Sequence, residues 1–526
     1  MFYNSSNSFE YGECISHGAC SVSPNITSMQ EVMYILLRQI AYYLIKLKKY
    51  NVNKENIVHD IITELAFIDA VRDFSEAQIL NSFSKQYINL VGARKEYLKL
   101  CKENNDSCDD LRNLLKFSPK TSLSQILKRG DKEYLQKYKK LPVNQKYMAE
   151  ILAGVQKSVC VNLISLFELD GSCTAASDTV LESLNIFNSN RVSIDKIKSQ
   201  IDMLAQCDVE LLKLINQARN EKFGKPILTS VSYSTKPGKA IMVSGSNLND
   251  LSELLNSVKD KDIDVYTNGN LLTAHAFPYF KTFKNLKGHY GKGVLNTILD
   301  FATFPGAILL TRNEAQNLEY LYRGRLFTTD EITPKGVVRV ENNDFSAVLE
   351  SAIQAKGFAK GRDKDSGMIG FDENELNAFI DKISQTKYSK LFIIGPSNFS
   401  INQIDYFNKF FEIMPDDSFA ITFSFNPDNK NVLSINIGND YALLYAIMQK
   451  IFDKIDINSD NLAFFLTRCD INSLSNIINL KNKGAKHIFL SDCPPLVINP
   501  AVLRAFSNLF KINQISEPEK DILLVK

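Results

Sequence analysis

The stretch VYTNGNLLTAHAFPYFKTFKNLKGHYGKG, residues 265–293, and the run FPGAILLTRN, residues 304–313, decide the fold of this 526-residue chain. Each contains a short apolar or β-branched segment, VYT or AILLT, that ends in polar turn residues. Such segments favour strands buried on both faces of a parallel sheet. We therefore expect two neighbouring strands whose carboxyl ends carry the loops Asn268-Gly269-Asn270 and Arg312-Asn313-Glu314.

Similar apolar runs continue to the end of the chain and alternate with helical patterns. These runs are KAIMVSG, DIDVYTNG, GAILLTRN, GVVRV, KLFIIGPS, SFAITFSFN, LAFFLTR and KHIFLSD. The alternation predicts parallel α/β sheets. The charged, glycine-containing segment KGFAKGRDKDSGMIG divides this region into two α/β units near residue 360.

The part before residue 224 has helical periodicity instead. SMQEVMYILLRQIAYYLIKL predicts a helix with Ser28 as its N-cap and Glu31 at the capping-box position. Gly224 is the expected stop of the last helix. The sequence thus predicts a multidomain α + α/β protein: a helical bundle at 1–223 and two Rossmann-like parallel α/β domains at 224–359 and 360–526.

Composition excludes some partners and indicates a compartment. Lys and Arg number 61 against 59 Asp and Glu, so we expect neither nucleic acid nor a membrane as partner. The first 28 residues lack the apolar core of a secretory signal. Nine cysteines, an odd number without a CxxC motif, favour reduced thiols. We therefore expect a cytoplasmic protein.

The loops that follow the predicted strands are the candidate site, because ligands of open α/β sheets bind beyond the carboxyl ends of the strands. They are Ser244-Gly245-Ser246, Asn268-Gly269-Asn270, Arg312-Asn313-Glu314, Gly395-Pro396-Ser397 and Ser424-Phe425-Asn426. Gly, Ser and Asn also follow strands simply because they form turns. Position alone favours that simpler interpretation.

The stretch 265–313, with NNDFSAVLESAIQAKGF and MPDD further on, closely resembles the hybrid-cluster proteins, also called hydroxylamine reductases or prismane proteins. The resemblance covers nearly the whole chain. It implies a helical domain, two α/β domains, and two metal centres: a 4Fe–4S or 2Fe–2S cluster and a hybrid 4Fe–2O–2S cluster. It also implies reduction of hydroxylamine or nitric oxide with electrons from a reductase.

The resemblance aligns the first cluster with the opening MFYNSSNSFEYGECISHGAC. Tyr3 and Ser6 stand at the first two cysteine positions, while Cys14 and Cys20 match the last two. Two thiolates do not hold a four-ligand cluster within one chain. We expect this cluster to be absent, unless two chains share one.

The positions that the resemblance aligns with ligands of the hybrid cluster are also substituted. They are Ser246 for a histidine, Asn270 for a glutamate, Glu314, Ser397, Phe425 and Gly438 for cysteines, and Asp470 and Asn472 for a Glu-x-Lys pair. Hydroxyl, amide and phenyl groups do not replace thiolate or imidazole at an iron–sulfur centre. We expect this cluster to be absent too, and hence no resident cofactor.

Two carboxylates, Glu314 and Asp470, remain at positions that would face the hybrid cluster. One hypothesis is a new site for a hard metal such as Mn, Mg or Fe(II). The other, which we favour, is that each carboxylate pairs with a neighbour such as Arg312 or Arg468, or lies in solvent. Two carboxylates without a histidine make a poor metal site. We expect His275 and His289 to make scaffold hydrogen bonds.

The expected function is that of a non-catalytic relative of the hydroxylamine reductases, without redox activity of its own. It would act as a binding or assembly partner of a metal-bearing relative or of an electron-transfer reductase. The alternative is an oxidoreductase-family enzyme with a different metal or ligand in the same pocket, still in hydroxylamine or nitric oxide metabolism.

Overall fold

The structure is a computed structural model of the whole chain. It describes residues 24–67, 76–118, 120–140, 142–189, 192–291, 297–312, 320–331, 333, 335–396, 401–423, 425–467, 471–491 and 500–525.

The described residues between 24 and 223 form a helical bundle, in agreement with the predicted fold class. Its helices are α1 (Pro24–Lys48), α2 (Glu55–Phe67), α3 (Glu76–Glu103), α4 (Leu123–Lys140), α5 (Val143–Phe167), α6 (Thr174–Asn185) and α7 (Ile194–Phe223). The stop at Gly224 is confirmed, because this residue follows α7 with a φ of 83° that glycine adopts without strain. Helix α5 runs through the centre and packs against α2 and α7.

The predicted N-cap of the first helix is wrong. Helix α1 begins at Pro24, one turn earlier, so Ser28 lies inside the helix. Proline suits a first helical turn, because the N–H that it lacks would have no partner within the helix. The Ser28 hydroxyl instead donates to the Asp131 carboxylate in α4 and ties two helices together.

The prediction of reduced thiols is also wrong for one pair of cysteines. Cys101, at the end of α3, forms a disulfide with Cys108, and their Cα atoms lie 5.8 Å apart. The chain reverses direction at Asn105, whose φ is 55°, and this brings the two cysteines together. Among the described residues, Cys160, Cys173 and Cys207 are free thiols.

The first α/β unit contains a parallel six-stranded sheet and follows a short strand, β1 (Thr229–Ser232). The sheet strands are β2 (Lys239–Gly245), β3 (Ile263–Asn268), β4 (Leu286–His289), β5 (Ala307–Thr311), β6 (Leu326–Thr328) and β7 (Val338–Arg339), in the order β4-β3-β2-β5-β6-β7. Its helices are α8 (Leu248–Val258), α9 (Thr297–Thr303), α10 (Tyr320–Arg323) and α11 (Ser346–Gln354). In the GVVRV run, Val337 and Val340 are buried as expected, whereas the two residues that form strand β7 are exposed, so the expected burial is wrong for Val338.

The second α/β unit repeats this architecture. Strand β8 (Ser366–Ile369) pairs with β1 in an antiparallel ribbon before the unit begins. The sheet strands are β9 (Leu391–Ile394), β10 (Phe419–Thr422), β11 (Val432–Ser434), β12 (Leu462–Leu466), β13 (His487–Leu490) and β14 (Asn513–Gln514), in the order β11-β10-β9-β12-β13-β14. The helices are α12 (Glu373–Gln385), α13 (Ile401–Ile413), α14 (Tyr441–Phe452), α15 (Ile471–Asn482), α16 (Pro500–Phe510) and α17 (Pro518–Leu524). Both sheets therefore have the Rossmann strand order 3-2-1-4-5-6, and the predicted fold class is confirmed.

One helix in the described part of the chain, Asn144–Phe167 within α5, is long and apolar enough to cross a membrane. Most of it is buried against other helices of the protein, including α15 of the second α/β unit. The core helix of a folded domain can be equally long and apolar. Because this helix is mostly buried, we interpret it as a core helix.

Candidate functional site

The strand order places the topological switch point of the sheet between β2 and β5, and ligands of such sheets bind beyond the carboxyl ends of these strands. The backbone is tightly packed at this point. Gly245 has a φ of 130°, and a Cβ on it would lie 1.8 Å from the Thr311 carbonyl oxygen. Only glycine fits between these strand ends. Ser246, which follows, is half-buried at the start of the loop.

Arg312 follows the last residue of β5, and its side chain contacts the helical bundle. Its side chain is buried and forms an ion pair with Glu168, just after the end of α5, and a hydrogen bond with the Ser165 hydroxyl. Its backbone N–H donates to Asp330 Oδ1 at 2.9 Å. Burial lowers the pKa of its guanidinium to about 10, so the group remains charged at neutral pH. This residue therefore joins the first α/β unit to the bundle.

Asn270 follows β3 and contacts the second α/β unit. The Asn439 side-chain amide donates to Asn270 Oδ1 at 2.8 Å. The adjacent Gly438 has a φ of 59°, and a Cβ there would lie 3.1 Å from the Thr273 methyl carbon. Two positions that the resemblance aligns with ligands thus lie at a direct contact between the two α/β units.

The loop around Asn439 also contacts the bundle. Asp440 is the N-cap of α14, accepts from the Leu443 N–H at 3.0 Å, and forms an ion pair of 2.6 Å with Arg219 of α7. All three parts of the protein therefore meet at residues 438–440. The sequence did not predict a role for Asn439, Asp440 or Arg219. The polar pair Asn439-Asp440 directly before an apolar helical run indicates an N-cap, but local sequence does not indicate that Asp440 pairs with the distant Arg219.

Phe425 lies inside the second α/β unit rather than at a polar surface. Its ring belongs to an apolar cluster, with centroid distances of 4.7 Å to Phe407 and 6.0 Å to Phe411. Its backbone N–H donates to Thr422 Oγ1 at 3.1 Å. This position is therefore part of the hydrophobic core.

His275 and His289 make the predicted scaffold hydrogen bonds, and both bond to the same group. Thr267 Oγ1 lies 2.9 Å from His275 Nε2 and 2.9 Å from His289 Nδ1. Since a hydroxyl has one proton, it donates to at most one of these rings, and at least one ring donates its N–H to Thr267 Oγ1. Burial lowers the pKa of His275 to about 4 and that of His289 to about 3, so both rings are neutral at pH 7.

Other predicted positions fall outside the described residues. They are Tyr3, Ser6, Cys14, Cys20, Glu314, Ser397 and Asp470, together with Arg468. Asn472 lies in α15, but its side chain is outside the described part. The two hypotheses for Glu314 and Asp470 therefore both stay open.

Four of the positions that the resemblance aligns with ligands of the hybrid cluster are described by the structure. Their side chains lack the donor atoms that an iron–sulfur centre needs. Ser246 offers a hydroxyl and Asn270 an amide that is already bonded across the units. Phe425 is packed among aromatic rings, and Gly438 has no side chain. Within the described ranges, no group of three or more His, Cys, Asp or Glu side chains is arranged to hold a metal ion. Soft iron–sulfur centres need thiolates, which these four residues do not provide.

Fold and site together define a class: a three-part protein in which a helical bundle and two Rossmann-like units enclose the strand ends. The model of the Prismane/CO dehydrogenase family matches residues 10–424. The chain belongs to this family.

Curated relatives match over almost their full length. A protein named hydroxylamine reductase from Thermodesulfovibrio yellowstonii is 26% identical, and the match covers 97% of each chain. One of the same name from Zymomonas mobilis is 25% identical, with 98% of this chain and 97% of the relative covered.

A solved structure of the alpha subunit of acetyl-CoA synthase/carbon monoxide dehydrogenase is similar at a TM-score of 0.48 and 10% identity, with 96% of this chain and 82% of that chain covered. A likeness at this level bears on neither the reaction nor the metal content of this chain.

Proposed function

We propose that this chain is a family member that has lost both clusters and serves as a binding or assembly protein rather than a hydroxylamine reductase. Phe425 carries the proposal. The resemblance aligns it with a cysteine ligand, and its ring packs 4.7 Å from that of Phe407 in the core. A metal centre needs a polar donor at such a position, whereas this ring stabilises the fold by burial.

The contact between Asn270 and Asn439 supports the same proposal. An amide in place of a carboxylate adds no charge to the interior, and its oxygen accepts a hydrogen bond from the other unit. Charge without a partner is costly to bury, so neutral substitution is expected where a cation has been lost. On this view, direct contacts hold the three parts together where the family's metal would otherwise lie.

The family match suggests what the protein would bind. Its relatives are named hydroxylamine reductases, so a cytoplasmic metal-bearing relative or an electron-transfer reductase is the proposed partner. We propose no role for nucleic acid or membrane, in keeping with the balanced charge.

Metal analysis of anaerobically purified protein tests the proposal. We expect iron and acid-labile sulfide near zero, and no hydroxylamine-dependent oxidation of a reduced dye. The Zymomonas mobilis relative, prepared in parallel, is the control for cluster insertion. Stoichiometric iron and sulfide with dye oxidation would overturn the proposal. Another bound metal that is lost in E314Q would instead support an enzyme with altered chemistry.

Affinity purification from the native host tests the partner. Full-length tagged chain should retain a protein that contains iron–sulfur or flavin, identified by its absorption spectrum. The variant N270A tests whether the contact between the two α/β units is needed to retain that partner protein. Retention of no iron–sulfur or flavin protein would contradict the assembly role.

A further inference from the structure

A disulfide joins the end of helix α3 to the loop that follows it. This loop, residues 104–110 with the sequence NNDSCDD, is called the acidic loop below. It contains Cys108, whose Sγ is bonded to that of Cys101 in α3. The chain reverses at Asn105, whose N–H donates to the Lys102 carbonyl oxygen at 3.1 Å. The disulfide therefore closes a short covalent ring across the end of a helix.

The two cysteines differ in exposure. Cys101 is fully buried, whereas Cys108 is half-buried in a loop whose other residues are exposed. Both Sγ atoms lie near the Asp106 carbonyl oxygen, at 3.4 Å for Cys101 and 3.7 Å for Cys108. A thiol can donate to this oxygen, so an acceptor is in place for the reduced pair. An external thiolate reaches the Cys108 sulfur more readily than the Cys101 sulfur.

The three aspartates of the acidic loop pair with side chains of α1, of α3 and of the turn after α1. The pairs, with their shortest distances, are Asp106–Tyr50 at 2.6 Å, Asp109–Lys46 at 3.0 Å and Asp110–Arg94 at 2.5 Å. These contacts are exposed or partly exposed, and water screens such pairs, so each contributes little to stability. The covalent bond therefore contributes most to holding the loop in place.

The segment after the acidic loop is anchored independently of the disulfide. The Gln39 side chain of α1 donates to the Asn113 carbonyl oxygen at 2.8 Å and accepts from the Leu115 N–H at 2.9 Å. The Leu115 side chain is also buried. Loss of the disulfide should therefore free the acidic loop and leave residues 113–115 in place.

We propose that Cys101 and Cys108 form a reversible thiol–disulfide switch that fastens and releases the acidic loop. The reductant is a dithiol, meaning a molecule or protein with two neighbouring thiols. This inference goes beyond the proposed function and does not depend on whether the chain carries clusters. Disulfides of cytosolic proteins are usually redox-sensing or catalytic, and the sequence predicts a cytoplasmic protein.

Reduction proceeds by thiol–disulfide exchange. One thiolate of the dithiol attacks Cys108 Sγ, the bond between the two cysteines breaks, and Cys101 leaves as a thiolate that takes up a proton. The second thiolate of the dithiol attacks the reductant's sulfur in the mixed disulfide, and Cys108 leaves in the same way. The pair gains two electrons and two protons, and the dithiol becomes an internal disulfide. A low-molecular-weight disulfide such as oxidised glutathione closes the pair again by the reverse exchange.

Release of the loop changes the surface of the bundle. Lys46 and Arg94 lose the carboxylates with which they pair. The Tyr43 hydroxyl, which donates to Asp110 at 2.5 Å, loses its acceptor. The reduced form therefore presents two cations beside a tyrosine, where the oxidised form presents neutralised pairs.

Mass spectrometry of the full chain tests whether the pair exchanges. Protein purified without reductant is treated under native conditions with dithiothreitol, a dithiol, then with iodoacetamide, and is then digested with trypsin. We expect the linked peptides 100–102 and 103–112 to separate with both cysteines alkylated, while the buried Cys160 stays unlabelled. Oxidised glutathione, added in place of iodoacetamide, should restore the link.

Limited proteolysis of the native chain tests whether the loop is released. Tryptic cleavage after Lys102 should become at least about tenfold faster on reduction, because local opening limits it. Cleavage after Lys116, beyond the anchored residues, should not change. The variant C108S should be cleaved like the reduced chain without any dithiol. The control C173S removes a free, half-buried thiol and should behave like the unmodified chain.

Circular dichroism establishes that each variant is folded, and the reduced, alkylated chain gives the answer if C108S is not. The proposal is overturned if the pair stays linked in dithiothreitol, since the disulfide would then be a permanent link. It is equally overturned if the pair is reduced but cleavage after Lys102 is unchanged, or if oxidised glutathione does not restore the link. Labelling of Cys160 would show that reduction unfolds the bundle, which contradicts a local switch.

Discussion

Asn439 and Asn270 join the two α/β units through one hydrogen bond of 2.8 Å between their side-chain amides. Asn439 Oδ1 is buried and makes no hydrogen bond within the described structure. The whole polar interaction of this side chain therefore depends on Asn270. An amide pair in this arrangement is a neutral contact between two domains where the family resemblance predicts a metal ligand.

The variant N270A should lower the free energy of unfolding by about 1 kcal/mol, because it leaves the Asn439 amide without its partner. Urea denaturation measures the change. N374A, on the exposed side of α12, is the control and should leave stability unchanged. In a double-mutant cycle, N270A and N439A should be coupled. Additive effects of the two substitutions would show that the bond contributes nothing.

Restoring the family's cysteine at Phe425 should damage the fold rather than create a metal site. F425C removes a ring from a packed aromatic cluster, and we expect a loss of about 3 kcal/mol. F425L retains most of the volume and should cost about 1 kcal/mol. Urea denaturation gives both values, and metal analysis of F425C should still find no iron. Iron bound by F425C, with stability retained, would contradict the assignment of this residue to the core.

The ion pair between Arg312 and Glu168 predicts a larger effect than a surface pair would. The Arg312 side chain is 7% exposed, so E168A removes the carboxylate that the buried guanidinium contacts directly and leaves only the charge of Asp330 to act on it. We expect a loss of about 3 kcal/mol by urea denaturation. E168Q keeps an oxygen acceptor and should cost less. R312A/E168A should be more stable than E168A alone, and a less stable double variant would argue against this explanation.

Much of the fold could be predicted from local sequence. The run AILLT has no polar residue before Thr311 and forms β5, because a strand covered on both faces needs no polar alternation. Leu286–His289 was missed, since LKGH has neither an apolar run nor β-branched residues and becomes a strand only by pairing with β3. Cys101 and Cys108 were likewise missed, because their pairing depends on the turn between them.

The candidate site could be predicted only in part. Strand-end loops were nominated from position, and Ser246, Asn270 and Arg312 do lie beyond strands β2, β3 and β5. Their partners could not be predicted. Asn439 is 169 residues from Asn270, and Glu168 follows a helix of another domain. Such contacts depend on how the domains pack, which local periodicity does not encode.

The two histidines beside Thr267 make stability depend on pH. Burial lowers the pKa of His289 to about 3 and that of His275 to about 4, whereas in the unfolded chain both have a pKa near 6.5. The unfolded state therefore binds more protons below pH 6.5, and stability falls as pH decreases from 6.5 toward 4. Each histidine contributes at most about 1.4 kcal/mol per pH unit in this window.

Urea denaturation at several pH values between 7.5 and 5 measures this contribution. Buried carboxyls act in the opposite direction: burial raises the pKa of Asp208 to about 6 and that of Asp250 to about 7, so they gain stability as pH falls. All the variants retain these two carboxyls, so comparing one variant with another cancels the carboxyl contribution. H289Q should lose less stability than the unmodified chain on going from pH 6.5 to 5, and H59Q, at an exposed position, should not differ from it. If the profiles of H289Q and H59Q coincide, the buried imidazole does not account for the acid sensitivity.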